Sequence, residues 1–213
     1  MARLHLSSNM AYPQLERLAR RRRLVLGSRS PRRLTLLRGM GVAFDQLIPE
    51  VEERRLPGEP PLAYACRLAE DKARWLMPRL APDQVGLTCD TIVILGDDVL
   101  EKPSDSAEAL AILSALSGTR HVVSTAIAWT ADRRLLASGY ETTEVYFRPV
   151  TAAQLRDYIA TGEPMDKAGA YGIQGMGAFL VDRIDGNLDT VIGLPRTLVE
   201  QLAGEAISQL EHL

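Results

Sequence analysis

The sequence predicts an α/β fold, a mixed sheet flanked by helices, on three observations. Strand signals and helical periods alternate along the chain. It opens with a strand, a loop and a helix, while two long β-rich runs, His121 to Trp129 and Glu141 to Phe147, flank a polar connection as an antiparallel pair does. Hairpins among the helices argue against a wholly parallel, doubly wound sheet.

Leu24-Val25-Leu26 is a short buried-strand signal, followed by Ser30 as helix N-cap, Pro31 at the first helical position, and Leu34, Leu37 and Met40 at helical spacing. Gly39 and Gly41 end that helix; Val42 to Pro49 reads as extended and Glu50 to Pro61 as an acidic, proline-bearing loop. From Leu62 to Leu76 the apolar positions keep a helical period, with Arg67, Glu70, Asp71 and Arg74 opposite and Lys72 at the boundary of the two faces. Leu87 to Leu95 is the clearest strand, turning at Gly96-Asp97-Asp98 into a short partner at Val99-Leu100, with a helix over Ala107 to Leu116. Thr130 to Gly139 reads as the connection between the two long strands, and Thr151 caps a helix to Ala160. A glycine-punctuated stretch, a strand from Ala178 to Ile184, a turn at Asp185-Gly186-Asn187 and a final helix from about Pro195 complete the chain.

At 213 residues the chain fits one domain or two closely packed lobes. Its net charge of −2, with 46% hydrophobic and 24% charged residues, argues against a nucleic-acid coat or a membrane-surface protein, so an anion site has to be built locally. The two cysteines, Cys66 and Cys89, suggest neither a disulfide framework nor a zinc site. With no apolar run of about 18 residues and no signal-peptide core, the expected location is the cytoplasm. Arg20 to Arg23 reads as a solvated lead-in to the first strand rather than a nucleic-acid arm, and residues 1–20 as a frayed extension.

Ser28-Arg29-Ser30-Pro31-Arg32-Arg33 puts two hydroxyls, free backbone N–H groups and guanidinium groups at one helix N-terminus, where the dipole favours an anion; a capped helix with solvated arginines is the plainer alternative. Strand parity places Thr88, Asp90, Ile92 and Ile94 on one face, so Asp90 is a carboxylate among apolar neighbours, which calls for a cation, a metal or a catalytic role. With Glu50, Glu52 and Glu53 it forms a hard-cation candidate, since Mg²⁺ takes one or two carboxylates and completes its shell with water and phosphate. Lys72 and Lys102 are weak signals alone, and Lys167 to Gly175 is a glycine-rich run with one amide, Gln174. His5, His121 and His212 have no ligand or triad spacing and read as structural or surface. No GxxxxGK[ST] or GxGxxG motif is present.

These blocks, together with Glu70-Asp71-Lys72-Ala73, Asp90-Thr91-Ile92-Val93, Glu101-Lys102-Pro103, Ser117-Gly118, Gly162-Glu163-Pro164 and Gly193-Leu194-Pro195, resemble the Maf family, also called septum formation inhibitor or nucleoside triphosphate pyrophosphatase, from about residue 24 to 200. The resemblance implies an extension at residues 1–22 and a single catalytic domain at 23–213. It also implies a fold like the inosine triphosphate pyrophosphatases, two lobes around a deep cleft, and in many members a homodimer. In that light Asp90 is the proton acceptor, and Asp90 and Glu53 hold a divalent cation, Mg²⁺ or Mn²⁺. Ser28, Arg32, Arg33, Lys72 and Lys102 bind the triphosphate, while Arg32, Thr91 and Gln174 match positions tied to substrate choice. A neutral amide at Gln174 suits uracil or thymine, which points to dTTP and UTP; a branch that takes 7-methyl-GTP carries glutamate at that place. The departures are Thr88-Cys89 for the family's Gly-Ala and the turn around Gly186 to Thr190. A nucleotide-binding regulator of cell division with incidental hydrolysis, acting through a partner, is the reading from a different class. The expected partners are a nucleoside triphosphate and neither nucleic acid nor membrane.

Overall fold

The computed structural model describes residues 11–212, and its sheet is mixed, as expected. Seven strands among the described residues run in the order β2-β1-β3-β5-β6-β7, with β4 paired to β3 off this path. β1 (Arg23–Gly27) lies parallel to β2 (Phe44–Gln46) and to β3 (Gln84–Leu95). β4 (Asp98–Leu100), β5 (Arg120–Ala131), β6 (Arg134–Phe147) and β7 (Val181–Asp185) extend it with antiparallel pairings.

Parity along β3 organises the packing. Val85, Leu87 and Cys89 join a first core with α1 (Pro13–Arg21), α2 (Pro31–Arg38) and α7 (Arg196–Glu211). Val93, on the same face, joins a second core with α4 (Ser106–Leu116) and α5 (Ala152–Ala160). Ile92 and Ile94 face the other way, onto α3 (Pro61–Leu76). One sheet face thus carries two lobes, and the residue of β3 between their cores is Thr91. Burial on both faces explains why β1 and β3 read as nearly continuous apolar runs.

Several expectations need correction. The first-turn donors of α1 are met by a side chain from the far end of the chain: the backbone N–H groups of Gln14 and Leu15 donate to the Glu200 carboxylate at 2.7 and 2.9 Å. With Leu15 and Leu18 buried in the first core, residues 13–20 are docked rather than frayed; residues 1–10, His5 among them, lie outside the described residues. Of the arginine block, Arg22 forms a bidentate pair with Asp132 at 2.9 and 3.0 Å, so it is anchored rather than merely solvated. The supposed connection from Thr130 to Gly139 is a tight hairpin: Asp132 and Arg133 take φ values of 49° and 60°, a two-residue turn whose hand matches strand twist, and β6 begins at Arg134. The strand expected from Ala178 starts at Val181, after a 3-10 turn at Met176–Leu180. A short helix at Leu188–Ile192, α6, is capped by Asn187 and ends at Gly193.

The ladder on one side of β3 is interrupted. β1 pairs with it as far as Gly27↔Thr88, and β4 begins at Val93↔Leu100, so among the described residues no strand flanks Cys89 to Ile92 on that side, although β5 pairs with them on the other. Into this notch run the connection after β1, carrying Ser28, and the connection after β4, carrying Glu101 and Lys102.

Candidate active site

Asp90 stands in the notch on the α3 face and is 6% exposed. Its partner comes from the inner stripe of α3, where Tyr64, Leu68 and Lys72 recur at helical spacing. Lys72 Nζ donates to Asp90 Oδ1 at 2.6 Å and lies 2.7 Å from Glu53 Oε1, so one ammonium bridges the two carboxylates. Lys102 Nζ is 3.8 Å from the other oxygen of Glu53. Two hydrogen bonds hold α3 over this cluster: Thr88 Oγ1 donates to the Ala69 carbonyl at 2.7 Å, and Tyr64 Oη donates to Glu101 Oε1 at 3.3 Å. Thr88 therefore ties helix to strand beside Asp90.

The charges of this cluster shift one another. Burial pushes the Asp90 carboxyl above its usual range, against the opposing pull of Lys72 and Arg33. Burial also acts to raise Glu53, but the charge and hydrogen bond of Lys72, with Lys102 and Arg33, outweigh it and Glu53 is lowered. Glu101 is raised by burial and by the nearby charges of Asp90 and Glu53. The two bridged carboxylates are thus shifted in opposite directions, Asp90 up by burial and Glu53 down by its cationic neighbours.

On the opposite face the guanidinium of Arg33 fills the gap in the ladder. Its Nη1 donates to the Cys89 carbonyl at 3.0 Å and to Ser28 Oγ at 3.2 Å, its Nε to the Gly193 carbonyl at 2.8 Å, and its Nη2 to Thr91 Oγ1 at 2.9 Å. Of five N–H donors, four are committed inside the protein. The hydroxyls beyond form a directed chain: Thr125 Oγ1 gives its hydrogen to the Thr190 carbonyl at 2.7 Å, so the 2.9 Å contact between Thr91 and Thr125 has Thr91 as donor. Gly193, at φ +115°, makes this closure feasible, since a Cβ there would come within 3.1 Å of Thr91 Oγ1.

Arg32 and Gln174 are the two remaining candidates. Arg32 is half-buried, and its charge helps hold down Asp166 of the opposite lobe, where burial acts the other way and Lys167 is the main opposing charge. Gln174 is exposed in a turn, next to Ile173, which packs against both cores. The glycine-rich run is held by Glu163, whose carboxylate accepts from Tyr158 Oη at 2.9 Å and from the N–H groups of Met176 and Gly177 at 2.7 and 3.1 Å. A Cβ on Gly175 would lie 2.5 Å from Glu163, so that glycine serves packing within the protein.

The structure therefore gathers Asp90, Lys72, Glu53 and Lys102 in one cluster and Ser28, Arg33 and Thr91 in a second across the strand. Sequence reading missed Thr125, although it is a hydroxyl flanked by Val123 and Ile127 on one face of β5. His121 is structural, as expected: it is buried among Phe147 and Tyr171, with Nε2 2.8 Å from Tyr171 Oη and its pKa lowered to about 4 by burial.

As a metal centre the cluster offers hard carboxylate oxygens. No group of three or more His, Cys, Asp or Glu among the described residues forms a cage; two carboxylates are the number that Mg²⁺ commonly takes from a protein before water and phosphate complete its shell.

The family model described as Maf-like protein matches residues 23–206. The dTTP/UTP pyrophosphatase of Yersinia pestis bv. Antiqua (strain Antiqua) is 49% identical over 186 residues, covering 87% of this chain and 94% of that protein. Proteins of the same name from Escherichia coli O157:H7 and Anaeromyxobacter dehalogenans (strain 2CP-C) are each 46% identical, over 172 and 178 residues, covering 81% of this chain and 87% and 88% of theirs. Among solved structures, a HAM1 protein from Coxiella burnetii aligns with a TM-score of 0.44 at 16% identity, over 90% of this chain and 97% of that one.

Proposed function

Since the chain belongs to the Maf-like protein family, we propose that it is a nucleoside triphosphate pyrophosphatase, a hydrolase of acid anhydrides that cleaves dTTP and UTP, and modified pyrimidine nucleotides, to the monophosphate and pyrophosphate. The observation that carries this reading is the buried Asp90, bridged to Glu53 by Lys72 in the notch between the ends of β1 and β4.

Asp90 accepts the proton of a water that attacks the α-phosphorus; the bond from that phosphorus to the bridging oxygen breaks and pyrophosphate leaves. Burial supports the role, because a carboxylate with raised proton affinity is a stronger base near neutral pH. Lys72, Lys102, Ser28, Arg32 and the one uncommitted N–H of Arg33 take up the triphosphate oxygens. A divalent cation, Mg²⁺ or Mn²⁺, held by Asp90 and Glu53 would supply charge stabilisation to the phosphate oxygens and the leaving pyrophosphate. Gln174, whose amide both donates and accepts, meets the donor and acceptor edge of uracil or thymine, and Arg32 and Thr91 add to substrate choice. Thr91 has given its hydrogen to Thr125, so it offers a ligand an acceptor only. In this reading the protein works in the cytoplasm as a homodimer.

The test is pyrophosphate release from dTTP, UTP, CTP, GTP and 7-methyl-GTP, with Mg²⁺ or Mn²⁺ and with chelator, for wild type and Asp90→Asn. Metal-dependent cleavage led by dTTP and UTP and lost in the variant is the expected result. Preference for 7-methyl-GTP would overturn the role given to Gln174, and no cleavage at all would overturn the whole reading.

A further inference from the structure

Lys72 occupies an unusual place for a phosphate ligand. Its ammonium is within 2.7 Å of both carboxylates assigned to the cation, and its side chain is 10% exposed. Two of its three N–H donors are thereby taken by acceptors that a bound metal also needs. A divalent cation on the same oxygens would sit against a positive charge in a poorly solvated site, where like charges repel strongly.

Resting on the pyrophosphatase reading, we propose that Lys72 is an exchangeable counter-cation: in the free protein its ammonium holds Asp90 and Glu53 together in place of a metal, and the divalent cation gains these carboxylates when the nucleotide's phosphates draw the ammonium away. Metal and nucleotide then enter as one complex, and each strengthens the binding of the other by the same factor.

The anatomy of α3 supports a side-chain exchange over a movement of the helix. Two bonds fasten α3, at Tyr64 to Glu101 and at the Ala69 carbonyl to Thr88 of the strand, both on the N-terminal side of Lys72, while the lysine itself is a four-carbon stem that can swing without disturbing them. Among the described residues no strand stands beside Asp90 to Ile92 on the notch side, and Arg33, which fills the gap, lies on the opposite face from Lys72. Lys102, 3.8 Å from Glu53 and largely exposed, lies at the outer end of the same path, where the phosphates arrive.

Binding of Mn²⁺ to the full-length protein without nucleotide, followed by the loss of the free-ion electron paramagnetic resonance signal, tests the exchange for wild type, Lys72→Arg and Lys72→Met. Wild type and Lys72→Arg keep the cation and bind Mn²⁺ weakly; Lys72→Met binds it at least tenfold more tightly. Equal or weaker binding by a folded Lys72→Met overturns the proposal, as does a wild-type protein that already takes up one Mn²⁺ at micromolar concentration without nucleotide. Circular dichroism checks folding, and Lys72→Gln, which can still donate to Asp90, carries the same expectation if the methionine variant does not fold. Pyrophosphate release by wild type separates the two levels: release with no gain of Mn²⁺ affinity on removing Lys72 refutes the exchange alone, whereas a gain of affinity in a protein that cleaves no nucleotide refutes the function and leaves the exchange.

Discussion

Arg33→Lys is the most informative single change to the scaffold of the site. The arginine makes four donations in three directions, to Ser28, Cys89, Thr91 and Gly193, and so joins the end of β1, the middle of β3 and the C-terminus of α6. A lysine keeps the charge, but its single nitrogen reaches at most two of those partners. Two hydrogen bonds from a charged donor are lost, each contributing about 1.5–3 kcal/mol, and water can reach part of the vacated space. The net loss should be about 3 kcal/mol, or roughly 6–12 °C in Tm for a chain of this size. Urea and thermal unfolding followed by circular dichroism read this directly. A loss below about 1 kcal/mol would show that the internal donations do not sustain the fold, and would return Arg33 to the role of a plain phosphate ligand.

Asp90→Asn keeps the shape of the site and removes the base; turnover should fall by about 10²–10⁴-fold in initial-rate assays with saturating metal, and undiminished turnover would rule out Asp90 as proton acceptor. Because the Asp90 pKa is raised and the ionised form is the active one, the acid limb of kcat/KM should lie above the ordinary aspartate value of about 3.9 and move when the aspartate is replaced. His121 has the opposite sign: its folded pKa, lowered from 6.5 to about 4, leaves stability intact above 6.5 and removes it as pH falls toward 4. That loss amounts to about 3 kcal/mol in full, and His121→Phe should flatten it in urea titrations at pH 7 and 4.5. Glu200→Ala strips the cap from α1 at a cost of about 1–2 kcal/mol and should expose residues 13–21 to proteolysis while pyrophosphate release is retained.

What could be read in the sequence followed periodicity. The parity of Leu87 to Leu95 put Asp90 on the face of Ile92 and Ile94, where the structure has it, and Ser30 caps α2 through the Arg33 N–H as its residue type suggests. What escaped were pairings between distant positions. Nothing local marks Lys72 as the bridge between Asp90 and Glu53, since a lysine at the boundary of a helix face looks like any solvated lysine. The docking of α1 depends on Glu200, which lies 186 residues from Gln14, and so an arginine-rich segment read as an extension. Arg33 looked like a free cation at a helix N-terminus because the carbonyls it meets belong to Cys89 and Gly193, far along the chain. The hairpin at Asp132-Arg133 was missed because neither residue is the glycine that usually announces such a turn.

The interrupted ladder beside β3 divides the protein into positions that must stay and positions free to drift. Asp90 and Thr91 owe their opposite faces to the register of one strand, paired with β5 from Gly86 to Ile94, and deleting one residue before them would exchange their sides. Ser28 and Lys102 stand on the connections that follow β1 and β4, outside the strand ladders, whereas Arg32 belongs to the first turn of α2. Lengthening or reshaping those segments alters what enters the notch and leaves the carboxylate at its floor unmoved. For an engineer, residues 28–30 and 101–103 are the adjustable jaw of a fixed vice.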